Sequence, residues 1–307
     1  MSLAAMSQNG ADRRMHVPVM AVEVVELLSA PHPHTIVDAT VGTGGHAAAL
    51  IAAAANARLL GIDRDASALA AARERLAGFG SRVTLAHENF SEIGRAMREN
   101  GFESADAIVA DLGMSSFALD DPARGFSFRS EGPLDMRMDQ RSGPSAYDVV
   151  NEESEEDLAR IIRDYGEERM ARRVARVIVE ARRRRPIEST GELRALVERA
   201  LGTRRRGGVH PATRTFQAIR IAVNREIENL AIFLHDAPVL LAPGGRLAVI
   251  AYHSMEDRPV KDRFRELARS GMYKNLTTKV IKPTASEVAA NPRARSARLR
   301  CLERGHP

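Results

Sequence analysis

The 307-residue chain has one cysteine, Cys301, and no tryptophan. A lone thiol can neither close an intramolecular disulfide nor supply a cysteine-rich zinc site, so a reducing compartment and a cytoplasmic location are expected. No stretch approaches the ~18 to 20 consecutive apolar residues of a membrane span, and Met1 to Met15 lacks the apolar centre of a signal peptide. Residues 1–15, polar around Ser7 to Gly10, read as a disordered lead-in and carry no part of the fold argument. Phenylalanine and tyrosine make up 4% of the chain, too few to build a stacking platform for long single strands. Lysine is scarce as well, with four against 41 arginines, but the accompanying wealth of alanine points to biased base composition as much as to phosphate binding.

The net charge of +5 is unevenly spread. Residues 1–150 hold 13 arginines against 19 acids, a balance of −6, whereas residues 258–307 hold 13 basic residues against 4 acids, a balance of +9. A basic tail on a near-neutral body suits a polyanionic partner, because contacts to phosphate release counterions.

From residue 35, short apolar runs alternate with amphipathic stretches, the pattern of a largely parallel α/β sheet. Strands are expected from Thr35 to Asp38, from Arg58 to Ile62 ending at Asp63, from Val83 to Ala86, and from Ala105 to Val109 ending at Asp111, with helices at Gly45–Ala55, Ala66–Leu76 and Ser91–Glu99. The rhythm stops in a loop from Gly113 to Pro144, long enough to suggest function. Helical periodicity follows in Leu158, Ile161, Ile162, Tyr165 and again in Val174, Val177, Ile178, Ala181. Ser154 with Asp157, and Ser189 with Glu192, have capping-box spacing. The α/β pattern resumes with one helix around Thr215 to His235, a turn at Ala242 to Gly245 and a strand at Leu247–Ala251. This order predicts a helical subdomain at residues 134–208 inserted between 16–133 and 209–307 of an α/β domain.

The first strand ends at Asp38, and the turn after it reads Gly42-x-Gly44-x-x-Ala47. Glycines there allow a tight strand-to-helix turn and a close approach of ligand to backbone, and the helix from Gly45 points free N–H groups outward. Asp63, 25 residues after Asp38, ends the second strand, where a carboxylate accepts hydrogen bonds from ribose hydroxyls. The combination marks a nucleoside cofactor. The fingerprint alone suits a nicotinamide dinucleotide or S-adenosylmethionine, while the acidic strand end, the late Pro243-Gly244-Gly245 turn and the basic tail lean towards methyl transfer. Asp111 ends the fourth strand and His253 follows a later one, both at the sheet edge where ligands bind. Ser254 to Asp257 also has the spacing to open a helix. His210 to Gln217 mixes a cation, an aromatic ring and an amide, which suits nucleic acid or inter-domain packing equally. The runs Arg182 to Arg185 and Arg204 to Arg206 flank an insert helix and are candidates to grip a backbone.

Taken together, His16 to Met20, Asp38 to His46, Asp111 to Ser116, Arg124 to Phe128, Gly132 to Arg137, His210 to Gln217, His253 to Arg258 and Asn291 to Ser296 closely resemble the ribosomal RNA small subunit methyltransferase H family, the bacterial 16S rRNA cytosine-N4 methyltransferases. The resemblance runs in order along nearly the whole chain. It implies a class I, Rossmann-like methyltransferase fold with an inserted helical domain for RNA recognition. It also implies S-adenosylmethionine as cofactor and, as substrate, a cytosine amine in the decoding region of 16S rRNA or the small subunit. By the same match, cofactor contacts fall on Gly44, Gly45, His46, Asp63, Phe90 and Asp111, while Asp111 and His253 are the catalytic candidates from their place at the sheet edge. His210, Arg214 and Arg258 are then the expected RNA contacts, and no metal is expected. One departure stands out: where the family commonly has Pro-Gln after Ser-Ser, this chain has Phe117-Ala118, which removes a glutamine that usually touches the cofactor.

Overall fold

The computed structural model describes residues 17–29, 32–114, 119–203 and 210–306. The lead-in, Ser115 to Ala118 and Arg204 to Arg206 lie outside the described residues.

Three parallel strands set the frame. β1 (Thr35–Asp38) is flanked by β2 (Arg58–Asp63) on one side and β4 (Ala105–Asp111) on the other. β2 continues to β3 (Val83–His87), and β4 to β5 (Leu241–Ala251), again in parallel. β7 (Arg298–Arg304) lies antiparallel between β5 and the short β6 (Tyr273–Asn275), which gives the order β3-β2-β1-β4-β5-β7-β6. Crossovers α2 (Gly45–Ala53), α3 (Ala66–Leu76) and α4 (Ile93–Glu99), with α1 (Ala21–Leu28) ahead of β1, cover the sheet. Helices on both faces require strands apolar on both faces, and Leu59, Leu60 and Ile62 of β2 are each fully buried. One core lies under α1, α2 and α3 and the other under α4 and two later helices, α10 (Glu226–Asp236) and α11 (Ser254–Arg269). The strand order reverses between β1 and β4, so the crevice at their carboxyl ends is where this architecture binds ligands.

A third core belongs to helices. α5 (Ala146–Glu152), α6 (Glu155–Gly166), α7 (Ala171–Arg182), α8 (Thr190–Leu201) and α9 (Ala212–Asn224) pack around Leu158, Ile162, Val174, Ile178 and Phe216. This core also takes Phe126 ahead of residue 134 and Ile219 and Val223 after residue 208. Ser189 and Glu192 form a complete capping box, as do Ser145 and Asp148; Ser154 accepts the Asp157 N–H and donates to the Asp157 carboxylate.

Two expectations are corrected. The helix expected over Thr215 to His235 is two helices, broken at Arg225, whose backbone is left-handed (φ 49°, ψ 42°). Apolar periodicity is continuous across that point, so nothing in the pattern betrays the break. The turn at Ala242 to Gly245 does not precede β5 but lies within it. Ala105 pairs with Leu241 and Ala107 with Arg246, so the extra residues bulge out of the ladder, with Gly244 at φ 75°.

The cofactor and candidate catalytic site

The turn after β1 carries the site. Gly42 and Gly44 both adopt positive φ, 51° and 81°, a region costly for residues with a Cβ. With the chain so turned, the Gly42 N–H donates to Asp63 Oδ2 at 2.8 Å, and the Asp65 N–H donates to Asp63 Oδ1 at 2.9 Å. Burial raises the Asp63 carboxyl above its ordinary range, and these two N–H groups pull it part of the way back. Pro18 lies against Gly45, where an added Cβ would come within 3.0 Å of the Pro18 ring. His46 is buried at the start of α2; its Nε2 sits 2.8 Å from the Val19 carbonyl, which makes it the donor, and its Nδ1 faces Asp111 Oδ2 at 3.8 Å.

Asp111 is held from three sides: its backbone N–H donates to Thr40 Oγ1 at 2.7 Å, the Gly113 N–H donates to its Oδ1 at 3.2 Å, and the Tyr252 hydroxyl hydrogen-bonds its side chain. Burial and the neighbouring carboxylate push the Tyr252 phenol well above its ordinary value, so it stays protonated and donates. Beneath the loop, Asp38 is 1% exposed; its Oδ1 accepts the Thr40 N–H at 3.2 Å and its Oδ2 has no partner. Desolvation pushes this carboxyl up to about 7, with His46 opposing and Asp111 and Asp63 adding to the rise.

Gly45, His46, Asp63, Phe90 and Asp111 line one cavity, together with Pro18, Arg64, Met138, Glu226, Leu230 and Glu256. Phe90 is braced edge-to-face on Phe233 (5.4 Å, 67°), leaving an aromatic surface for a flat heterocycle. Gly44 is not in the wall: it caps α2 and backs onto Leu76. His253 is not in the wall either. It caps α11 from behind Glu256, with Nε2 2.9 Å from Glu256 Oε1, yet neither buried ring nitrogen makes a well-aligned hydrogen bond. The expected cap from Ser254 is not made. Ser254 is the first helical residue and its hydroxyl reaches Glu167, while Glu256 reaches back to the Tyr252 N–H at 2.8 Å. Of the three RNA candidates, His210 stacks on Phe128 (4.7 Å, 21°) with Nε2 3.1 Å from Glu198, Arg214 reaches the Glu167 carbonyl, and Arg258 is exposed on α11.

Several residues that shape the site are given no role by the sequence alone, although Arg124 opens one of the family-like motifs. Arg124, 6% exposed, pairs with Asp65 at 2.9 Å and donates to the carbonyls of Arg137 and Met138, so the long loop is clasped onto the α3 cap and Met138 is set in the cavity wall. Asn224 does the same from the helix break, accepting the Met138 N–H at 2.8 Å and donating to the Met136 carbonyl at 2.7 Å. Arg64 donates to the Asn224 carbonyl, and its burial lowers its pKa. The break also turns Glu226 into the cavity, where Arg220 grips both its oxygens at 2.8 Å. Glu226, His253 and Glu256 offer ligand atoms within 4.8 Å of one another, but Arg220 already supplies the cation there.

The wall therefore carries Asp63, Asp65, Asp111, Glu226 and Glu256, with Asp38 below. Asp65 and Glu226 are paired with Arg124 and Arg220, but Asp63, Asp111 and Glu256 have no arginine or lysine ion pair among the described residues, so the wall favours a sulfonium and an ammonium over a pyrophosphate, and the orphaned Asp38 Oδ2 adds a buried acceptor without a donor. The sheet order with a closing antiparallel strand, the glycine turn after β1 and the carboxylate after β2 define a class I, S-adenosylmethionine-dependent methyltransferase.

The description "MraW methylase family" fits residues 13–305, and the chain belongs to that family. Curated proteins similar to it include ribosomal RNA small subunit methyltransferases H from several bacteria. That of Sorangium cellulosum is 50% identical, over 94% of this chain and 90% of the relative. Those of a Cyanothece species and a Geobacter species are each 48% identical, over 94% of this chain and 95% and 98% of theirs.

Proposed function

We propose that this protein methylates the exocyclic N4 amine of a cytosine in the decoding region of 16S rRNA, in the cytoplasm. The observation that carries the reading is the pair of carboxylates, Asp111 and Glu256, in the wall of a cavity whose other acids suit a cationic methyl donor. The relatives' name, ribosomal RNA small subunit methyltransferase H, supports the substrate. The +9 balance of residues 258–307 supports a polyanionic partner.

S-adenosylmethionine, when bound, supplies an electrophilic methyl group on a positively charged sulfur. The protein's own contribution is alignment and charge. A cytosine amine is a weak nucleophile because its lone pair is delocalised into the ring, so holding nitrogen and methyl in line supplies much of the acceleration. Asp63 anchors the ribose, Phe90 covers the adenine, and Asp111, fixed by Tyr252 and Gly113, faces the charge that develops on the amine. His210, Arg214 and Arg258 hold RNA in this reading, and a paired target base is extruded before reaction.

The test is transfer of tritiated methyl from S-adenosylmethionine to small subunits that lack the modification. The reading expects one labelled cytosine per subunit; unlabelled RNA, with or without labelled protein, contradicts it.

A further inference from the structure

Glu256 is the least explained charge in the cavity. Its side chain is 4% exposed; Oε2 is occupied by the Tyr252 N–H, but Oε1 has only His253 Nε2 at 2.9 Å, in poor alignment. With Glu256 in the cavity wall, that oxygen is left for a donor that a ligand supplies. The third carboxylate, Glu226, needs no ligand, since Arg220 binds both its oxygens. Asp111 ends β4 in register with Ile250 of the neighbouring parallel strand β5, and Glu256 lies in the first turn of α11, which follows β5; Tyr252 joins them, its hydroxyl to Asp111 and its N–H to Glu256.

Resting on the proposed function, we infer that Glu256 and Asp111 together recognise the target amine, one accepting each of its N–H bonds, and that Glu256 takes the proton released on methylation. Two acceptors on one amine draw its lone pair out of the ring and towards the methyl group. The N4–methyl bond forms as the methyl–sulfur bond breaks, with the electron pair passing to sulfur; the surplus N4 proton passes to Glu256 Oε1 and on to the neighbouring His253 Nε2. His253 is thus a positioning and relay residue, not one that touches the base. The same pair sets specificity. Uracil presents a carbonyl oxygen where cytosine presents its amine, and two carboxylates repel it, while a product amine with one methyl retains a single N–H to hold.

Glu256→Gln tests this, because the amide still accepts the Tyr252 N–H while turning a donor towards the cavity. Calorimetric affinity for S-adenosylmethionine is expected to fall by less than about 10-fold, because the other wall acids keep their charge. Single-turnover transfer to undermethylated small subunits is expected to fall about 100-fold, the usual scale for a lost proton acceptor. Competition between subunits bearing cytidine and uridine at the target, favouring cytidine in the wild type, is expected to lose that preference in Glu256→Gln and keep it in Glu256→Asp, which retains an acceptor. If Glu256→Gln keeps full rate and preference, or loses cofactor affinity as much as rate, the inference is overturned while the proposed function stands. If the wild type itself leaves the cytosine amine unmethylated, the proposed function has failed instead.

Discussion

Asp38 makes a sharp physical prediction because its carboxyl is buried, half-partnered and pushed up to about 7 from 3.8. An acid whose pKa is higher in the folded chain than in the unfolded one is destabilising once the unfolded chain ionises. The cost is near zero at pH 4, grows as pH rises from 4 to 7, and levels off above 7 at about 4 kcal/mol. An asparagine in its place imitates the neutral acid and keeps an acceptor for the Thr40 N–H. The variant Asp38→Asn is therefore expected to exceed the wild type in stability by about 2 to 4 kcal/mol at pH 8 and by less than about 1 kcal/mol at pH 4.5, a difference that follows from pKa linkage. Urea unfolding monitored by circular dichroism at the two pH values measures it. The compensating loss should appear in function, as weaker binding of the sulfonium cofactor relative to its neutral demethylated product, since a carboxylate kept at a cost to stability is kept for a cation. A stability gain of equal size at both pH values, or none at pH 8, would refute the reasoning.

Other expectations follow from the same contacts. Arg124→Met leaves Asp65 buried and unpaired and should cost about 3 to 5 kcal/mol in urea unfolding, with cofactor affinity lost as the Met138 loop loosens. Gly44→Ala places a Cβ on a residue at φ 81° and 3.2 Å from Leu76, and should destabilise by about 1 to 2 kcal/mol in thermal melts even though Gly44 is outside the cavity wall. Asp111→Asn should bind the cofactor measurably but transfer methyl at least about 10-fold more slowly at saturating cofactor, on the scale of a lost electrostatic contact. Full transfer by that variant would remove Asp111 from the reaction.

Much of the α/β half was legible because its signals are local. Thr35–Asp38 and Ala66–Leu76 have the bounds their patterns suggest, and β2 and β4 differ from expectation by no more than the placing of their terminal aspartates. The loop glycines and Asp63 declared themselves by spacing, and the structure joins them by one hydrogen bond from Gly42 to Asp63. What stayed hidden is long-range. Arg124 and Asp65 are 59 residues apart, and Asn224 reaches Met136 across 88; no periodicity announces such partners. The break at Arg225 was invisible because left-handed backbone at an arginine has no sequence signature, yet that break delivers both Asn224 and Glu226 to the site. β7 escaped notice because its apolar residues are interleaved with arginines; Arg300 is buried there through a pair with Asp257, 2.7 Å away. His253 shares with Asp111 a place just past a strand end, but the first turn of α11 gives the cavity to Glu256.

The central claim is that the methyl group goes to the cytosine amine. Small subunits methylated by the purified protein, digested to nucleosides and resolved by chromatography with mass spectrometry, test it most directly. The account predicts N4-methylcytidine as the sole new nucleoside; 5-methylcytidine, a ribose-methylated cytidine or a methylated uridine in its place would contradict it.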